Sequence, residues 1–159
     1  MTTTTVINHG KKVNTKHVDE LIRNYKKERW IHNSNKLGKE DALSTWYGLE
    51  ELEAFIAEAR EHGADGIKMY YGVYAADFAG DPVFQGRQTV VLVATKQKTS
   101  AAGIPANKDI YIQGETGSEI LAFNYGSLCP PYCGTIGDDG EMGSIGISLI
   151  DNKENMIVF

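Results

Sequence analysis

Gly48-Leu49-Glu50-Glu51-Leu52-Glu53-Ala54-Phe55-Ile56-Ala57-Glu58-Ala59-Arg60-Glu61-His62-Gly63 runs directly into Ala64-Asp65-Gly66-Ile67-Lys68-Met69-Tyr70-Tyr71-Gly72-Val73-Tyr74. In the first half Leu49, Leu52, Phe55, Ile56 and Ala59 recur at helical spacing and make one apolar stripe. Gly48 is an acceptable N-cap, Glu51 stands three residues on as half of a capping box, and Gly63 supplies the left-handed residue that closes the helix. After Gly66 the period drops from 3.6 to 2. Ile67, Met69, Tyr71 and Val73 point one way, and Lys68, Tyr70 and Tyr74 the other, as in a strand. A helix followed at once by a strand, each with an apolar side, calls for a helix packed on a sheet.

Working outward, an earlier helix is expected from about Thr15 to Arg29. Val18, Leu21, Ile22 and Tyr25 form its face, and acids lie early with Lys26, Lys27 and Arg29 late, as the helix dipole prefers. Asn33 to Lys39 is polar and reads as a break. Residues 1–12 read as a flexible arm or an edge strand. Downstream, Thr89 to Thr95 is apolar on both faces and suits a central strand. Ala79-Gly80-Asp81-Pro82 marks a turn before it. Asp109 to Gln113 and Glu119 to Asn124 are further strands. Glycines at 134, 137, 140, 143 and 146 have a period of three but no proline, so 134–146 reads as a Gly-rich loop and not as collagen. Ile145 to Ile150 and Met156 to Phe159 resume apolar character. The fold class is α+β: two N-terminal helices packed on a mainly antiparallel sheet built from 66–74, 89–95, 109–113 and a final C-terminal strand. Residues 13–159 are expected to form a single domain.

The chain has 159 residues, a 42% apolar content and a formal net charge of −5. That is enough apolar matter for a core and too little positive charge for a nucleic-acid partner. No stretch approaches the roughly 20 apolar residues of a membrane span, so no membrane partner is expected. The start, Met1-Thr2-Thr3-Thr4-Thr5, lacks the features of a secretory signal, and cytoplasm is the default location.

Few motifs carry chemistry. Cys129-Pro130-Pro131-Tyr132-Cys133 is the most distinctive. Two thiolates are weak candidates for a metal, but a closed zinc site needs four ligands, and His9, His17, His32 and His62 are all remote in sequence. Cys129 and Cys133 are therefore expected to stay reduced and metal-free in a rigid Pro-Pro turn. The histidines form no recognisable nucleophile–base pair. Asp138-Asp139-Gly140-Glu141 lacks the ligand spacing of a calcium loop. No glycine pattern spells a phosphate loop, so no cofactor is expected. Trp46, Tyr47, Tyr70, Tyr71 and Tyr74 concentrate the aromatics. If the face carrying Tyr70 and Tyr74 is uncovered it is a platform for a partner; if covered, it is core. The terminal Ile157, Val158 and Phe159 either complete a sheet of their own chain or add a strand to a neighbour.

Three segments, 46–52, 65–72 and 124–133, resemble in this order a family of small uncharacterised bacterial proteins. That family pairs a Gly-Ile-Arg-Ile-Tyr-like strand with a late Cys-Pro-Pro-x-Cys motif, and Lys68 stands where it often has Arg. The resemblance implies no activity and so no catalytic residue. The leading functional expectation is a noncatalytic protein-binding or assembly module, acting on a protein partner or on itself through Trp46, Tyr47, Tyr70, Tyr74 and the chain end. The alternatives are a small enzyme or metalloprotein centred on Cys129 and Cys133, and a self-assembling structural subunit.

Overall fold

A computed structural model describes residues 5–133, 149–152 and 155–158, the last two stretches as backbone. The elements are α1 (Thr15–Tyr25), a π-helical segment (Lys26–Trp30), α2 (Ile31–Leu37), β1 (Ser44–Trp46), α3 (Leu49–Glu61), β2 (Gly66–Val73), a 3-10 turn (Pro82–Phe84), β3 (Gln88–Thr99), β4 (Pro105–Asp109), β5 (Tyr111–Gly114), β6 (Gly117–Ile120), β7 (Ala122–Phe123), β8 (Ser127–Cys129), β9 (Leu149–Asn152) and β10 (Asn155–Val158). The class is α+β with antiparallel pairing. The Gly-rich stretch 134–146 and Phe159 lie outside the described residues.

The expected count of two N-terminal helices needs correcting. The first helix does not stop near Arg29 but continues through the π-helical segment into α2, ending at Leu37. Asn33, Ser34 and Asn35 are indifferent helix formers, yet the helix runs through them to Gly38, whose φ of 75° makes it the left-handed residue that ends it. The start is as expected of a capped helix, with Asn14 Oδ1 accepting from His17 N at 2.9 Å. The buried residue of α1 is Asp19, held by Arg23 Nε at 3.1 Å to both carboxylate oxygens, while Leu21 is exposed.

The contacts group the chain into two compact, interleaved units. The sequence reading of one domain over 13–159 drew no such division, because no linker composition marks the borders. One unit holds Tyr47–Gly72, Val90–Tyr125 and the N-terminal residues to Gly10. Within it β3 pairs with β2, β4 and β7. Leu92 and Ala94 of β3 join Phe55 and Ala59 of α3 and Leu121 in the core, and Leu52 and Ile67 pack against them. Val93 and Thr95, on the opposite face of β3, are also buried, so the strand is covered on both sides as its composition required. Phe55 stacks on Phe123 at 5.3 Å. The apolar stripe of α3 is narrower than its spacing suggested, since Leu49 and Ile56 are exposed. The expected strand 109–113 is broken at Ile110, whose N–H donates to Ala94 O while its carbonyl accepts from Leu121 N, both at 2.9 Å. Beyond it β5 and β6 form a separate hairpin. Residues 5–10 have irregular backbone, tied by Ile7 N to Gln97 Oε1 at 3.2 Å.

The second unit holds Lys11–Trp46, Val73–Thr89 and the chain from Gly126 on. Its core is Ala42, Tyr74 and Leu128 with Phe78 and Phe84 against them. β1 pairs with β8, setting Ser44 opposite Cys129 and Trp46 opposite Ser127. Asp41, buried, ties the unit together. Its Oδ1 accepts from Ala42 N at 2.8 Å and Gln88 N at 2.7 Å, and its carbonyl accepts from Trp30 Nε1 at 2.8 Å. Tyr25 OH donates to Gln88 Oε1 at 2.5 Å. Burial, and then the nearby Asp41 carboxylate, push the Tyr25 phenol above its ordinary range. Among the described residues β10 pairs antiparallel with β9 and with no other strand.

Candidate functional site

The clearest exposed feature of the first unit is β2. Its alternation gives the two faces different chemistry. Ile67 reaches the core under α3, but Met69 and Tyr71, next on that face, are 63% and 86% exposed. A tyrosine and a methionine side by side in water leave apolar surface that burial would stabilise by roughly 1.5–3 kcal/mol per large side chain. On the other face Lys68 Nζ donates to Asp109 Oδ1 at 2.7 Å, to Asn107 O at 3.0 Å and to the Tyr70 hydroxyl at 3.1 Å. Tyr70 OH in turn donates to Asp109 Oδ2 at 2.8 Å, and Lys68 Nζ lies 5.2 Å from the Tyr70 ring centroid. The hydrogen bond to Asp109 holds the Lys68 ammonium above its ordinary range, and the hydrogen bonds from Lys68 and Tyr70 hold the Asp109 carboxyl below its own. Among the described residues β2 pairs with β3 alone, so its outer edge is without a strand.

The aromatic residues singled out from sequence separate. Tyr74 is 8% exposed and packs on Phe78 and Phe84 at 4.7 and 5.4 Å; it is core, not a partner surface. Tyr47 is half-buried against Phe123, with its hydroxyl on Val90 O at 3.0 Å, so it too is part of the interior. Tyr70 is partly exposed but engaged with Lys68 and Asp109. Trp46 remains exposed, in the second unit. Ile157 and Val158 lie in β10. Alternation put Tyr70 and Tyr74 on one face, but Tyr74 is buried while Met69 and Tyr71, on the other face, are the exposed pair.

Cys129 and Cys133 are joined in a disulfide, which corrects the expectation of reduced thiols. Their Cα atoms are 4.7 Å apart, and Tyr132 N donates to Leu128 O at 2.8 Å to close the loop between them. That proximity is what a disulfide requires and what a sequence cannot display. With both sulfurs bonded to each other, neither is available as a thiolate ligand. Tyr132 carries the loop onward, donating to Asp81 Oδ2 at 2.8 Å and meeting Phe84 edge-on at 6.0 Å. The carboxylate partner raises the Tyr132 phenol from its ordinary value. Among the described residues no helix is long and apolar enough to cross a membrane.

Compared with known families, curated proteins and solved structures, the chain matches none of them.

Proposed function

We propose that the chain is an assembly module that pairs with a second copy of itself along the outer edge of β2. The observation that supports this is the exposure of Met69 and Tyr71 on a strand whose outer edge is unpaired among the described residues. Edge strands ordinarily protect themselves with charge, lysine above all. Here the strand's single charged residue, Lys68, is neutralised by Asp109 of its own chain. Nothing on β2 therefore repels a second β2. An antiparallel pairing about a two-fold axis through Tyr70 is self-complementary, and it would set Met69 of each copy against Tyr71 of the other while satisfying the free backbone groups.

The test is particle mass against concentration, for the parent chain and for Met69→Lys/Tyr71→Lys. Both positions are exposed, so the variant keeps its core. The expected result is a dimer that dissociates on dilution, and a variant that stays monomeric at every concentration with the unfolding midpoint of the diluted, dissociated parent. A parent chain monomeric throughout would sink the proposal, as would capture at this edge of a foreign extended peptide in place of a second copy.

A further inference from the structure

A cleft of about 300 Å³ lies at the C-terminal end of α3, and its lining includes His62, Lys96, Lys98, Lys108, Asp109 and Tyr111. The register of β3 on β4 sets Lys96 directly opposite Lys108, and Lys98 follows Lys96 by two and shares its face. Like charges directly opposite on a ladder destabilise a sheet. The chain as a whole carries a net charge of −5, so this crowding is not the overflow of a basic surface.

The neighbouring carboxylates do not cancel the charge. Asp109 stands opposite Thr95, one position along from Lys108, and its carboxylate is on the other face, held by Lys68 and Tyr70. Asp65 reaches Lys96 at 3.4 Å but is shared with Gln97 N at 2.9 Å. With Asp109 offset by Lys68, three lysine ammonium groups against the Asp65 carboxylate leave two positive charges around the cleft. The end of α3 bears the negative pole of its dipole. Gly63 N and Ala64 N cap its last carbonyls, at 2.9 Å to Arg60 O and Ala59 O, and so soften that pole. The volume is at the small end of ligand pockets.

We propose that this cleft binds a small molecule bearing a phosphate monoester. The dianion balances the two uncompensated charges, the lysines act as point-charge donors, and Tyr111 offers a ring to the body of the ligand. A ligand here would also relieve the Lys96–Lys108 opposition, which gives the folded sheet a reason to hold it.

The experiment is titration with glycerol 3-phosphate at constant ionic strength, read by calorimetry, on the full chain and on Lys98→Ala and Lys108→Ala. Both lysines are exposed and have no role in the core. Saturable binding is expected, weakened on the order of tenfold by either substitution, the loss of one charge-assisted contact. A parallel arm uses vesicles containing phosphatidic acid. Competition by the vesicles assigns the monoester to a lipid headgroup, and its absence assigns it to a soluble molecule; either agrees with the proposal when the lysine variants lose binding. No saturable binding, or binding equal in the parent and both variants, overturns it.

Discussion

At the scale of single residues, burial ranks the consequences of mutation. Phe55 is 3% exposed and stacks on Phe123, so Phe55→Ala removes both transfer free energy and a well-packed neighbour. A loss of about 3–5 kcal/mol in denaturant unfolding is expected. Leu52→Ala, on a half-buried side chain of the same helix, costs less. Asp109 provides a test of charge. Its carboxyl titrates below its ordinary 3.8 because Lys68 and then Tyr70 hydrogen-bond the charged form. The contribution of the pair to stability is therefore present above the ordinary carboxyl value and is lost as the pH falls through the lowered one. Lys68 sets the other limit: its ammonium is held above its ordinary value, so that contribution disappears as the pH rises through the raised one. Carbon-detected magnetic resonance of the Asp109 carboxyl should report a lowered midpoint that moves back up in Lys68→Met. An unmoved midpoint would mean that the Lys68 contact does not persist in solution.

At the scale of elements, α3 is closed by Gly63 at a φ of 84°. No atom lies within 4 Å of where a Cβ would stand there, so a substitution meets no steric clash and isolates the backbone effect. Gly63→Ala is expected to cost about 1–2 kcal/mol, the left-handed penalty for an L-residue. Gly63→Asn should cost less, since asparagine tolerates that region. Equal stability of Gly63→Ala and the parent in thermal unfolding would show that the helix ends elsewhere. This cap was legible beforehand because it depends on residues within one turn. The extension of the first helix to Leu37 was not, because polar residues end a helix only where a better use for their backbone exists nearby, and here Ser34 is held by Asp41 N at 2.9 Å instead.

At the scale of the whole molecule, the Cys129–Cys133 disulfide closes a loop of five residues. Loop-closure entropy for so short a ring corresponds to about 2 kcal/mol, so reduction should lower stability by about that amount without removing the two cores. Alkylation of the denatured, unreduced protein should label neither cysteine, and prior reduction should label both. Labelling without reduction would restore the reading of free thiols. The same loop touches Asp81 and Phe84 through Tyr132, so the effect of reduction should be felt in the second unit, where Phe84 packs on Tyr74.

The amino-acid sequence by itself determined the α+β class, the limits of α3 and β2, the central place of β3 and the glycine that stops α3. Each follows from periodicity or turn chemistry within a few residues, where sequence distance and spatial distance are nearly the same. The tertiary structure alone decided that Tyr74 is core while Tyr71 is bare, that Asp19 and Asp41 are buried, that Cys129 meets Cys133, and that Lys96 faces Lys108. Most of these depend on register and cover supplied by segments tens of residues away, such as Gln88 for Asp41 and β4 for Lys96. A side chain's own chemistry says what it would do if covered or paired, and only the partner brought to it by the fold says whether it is.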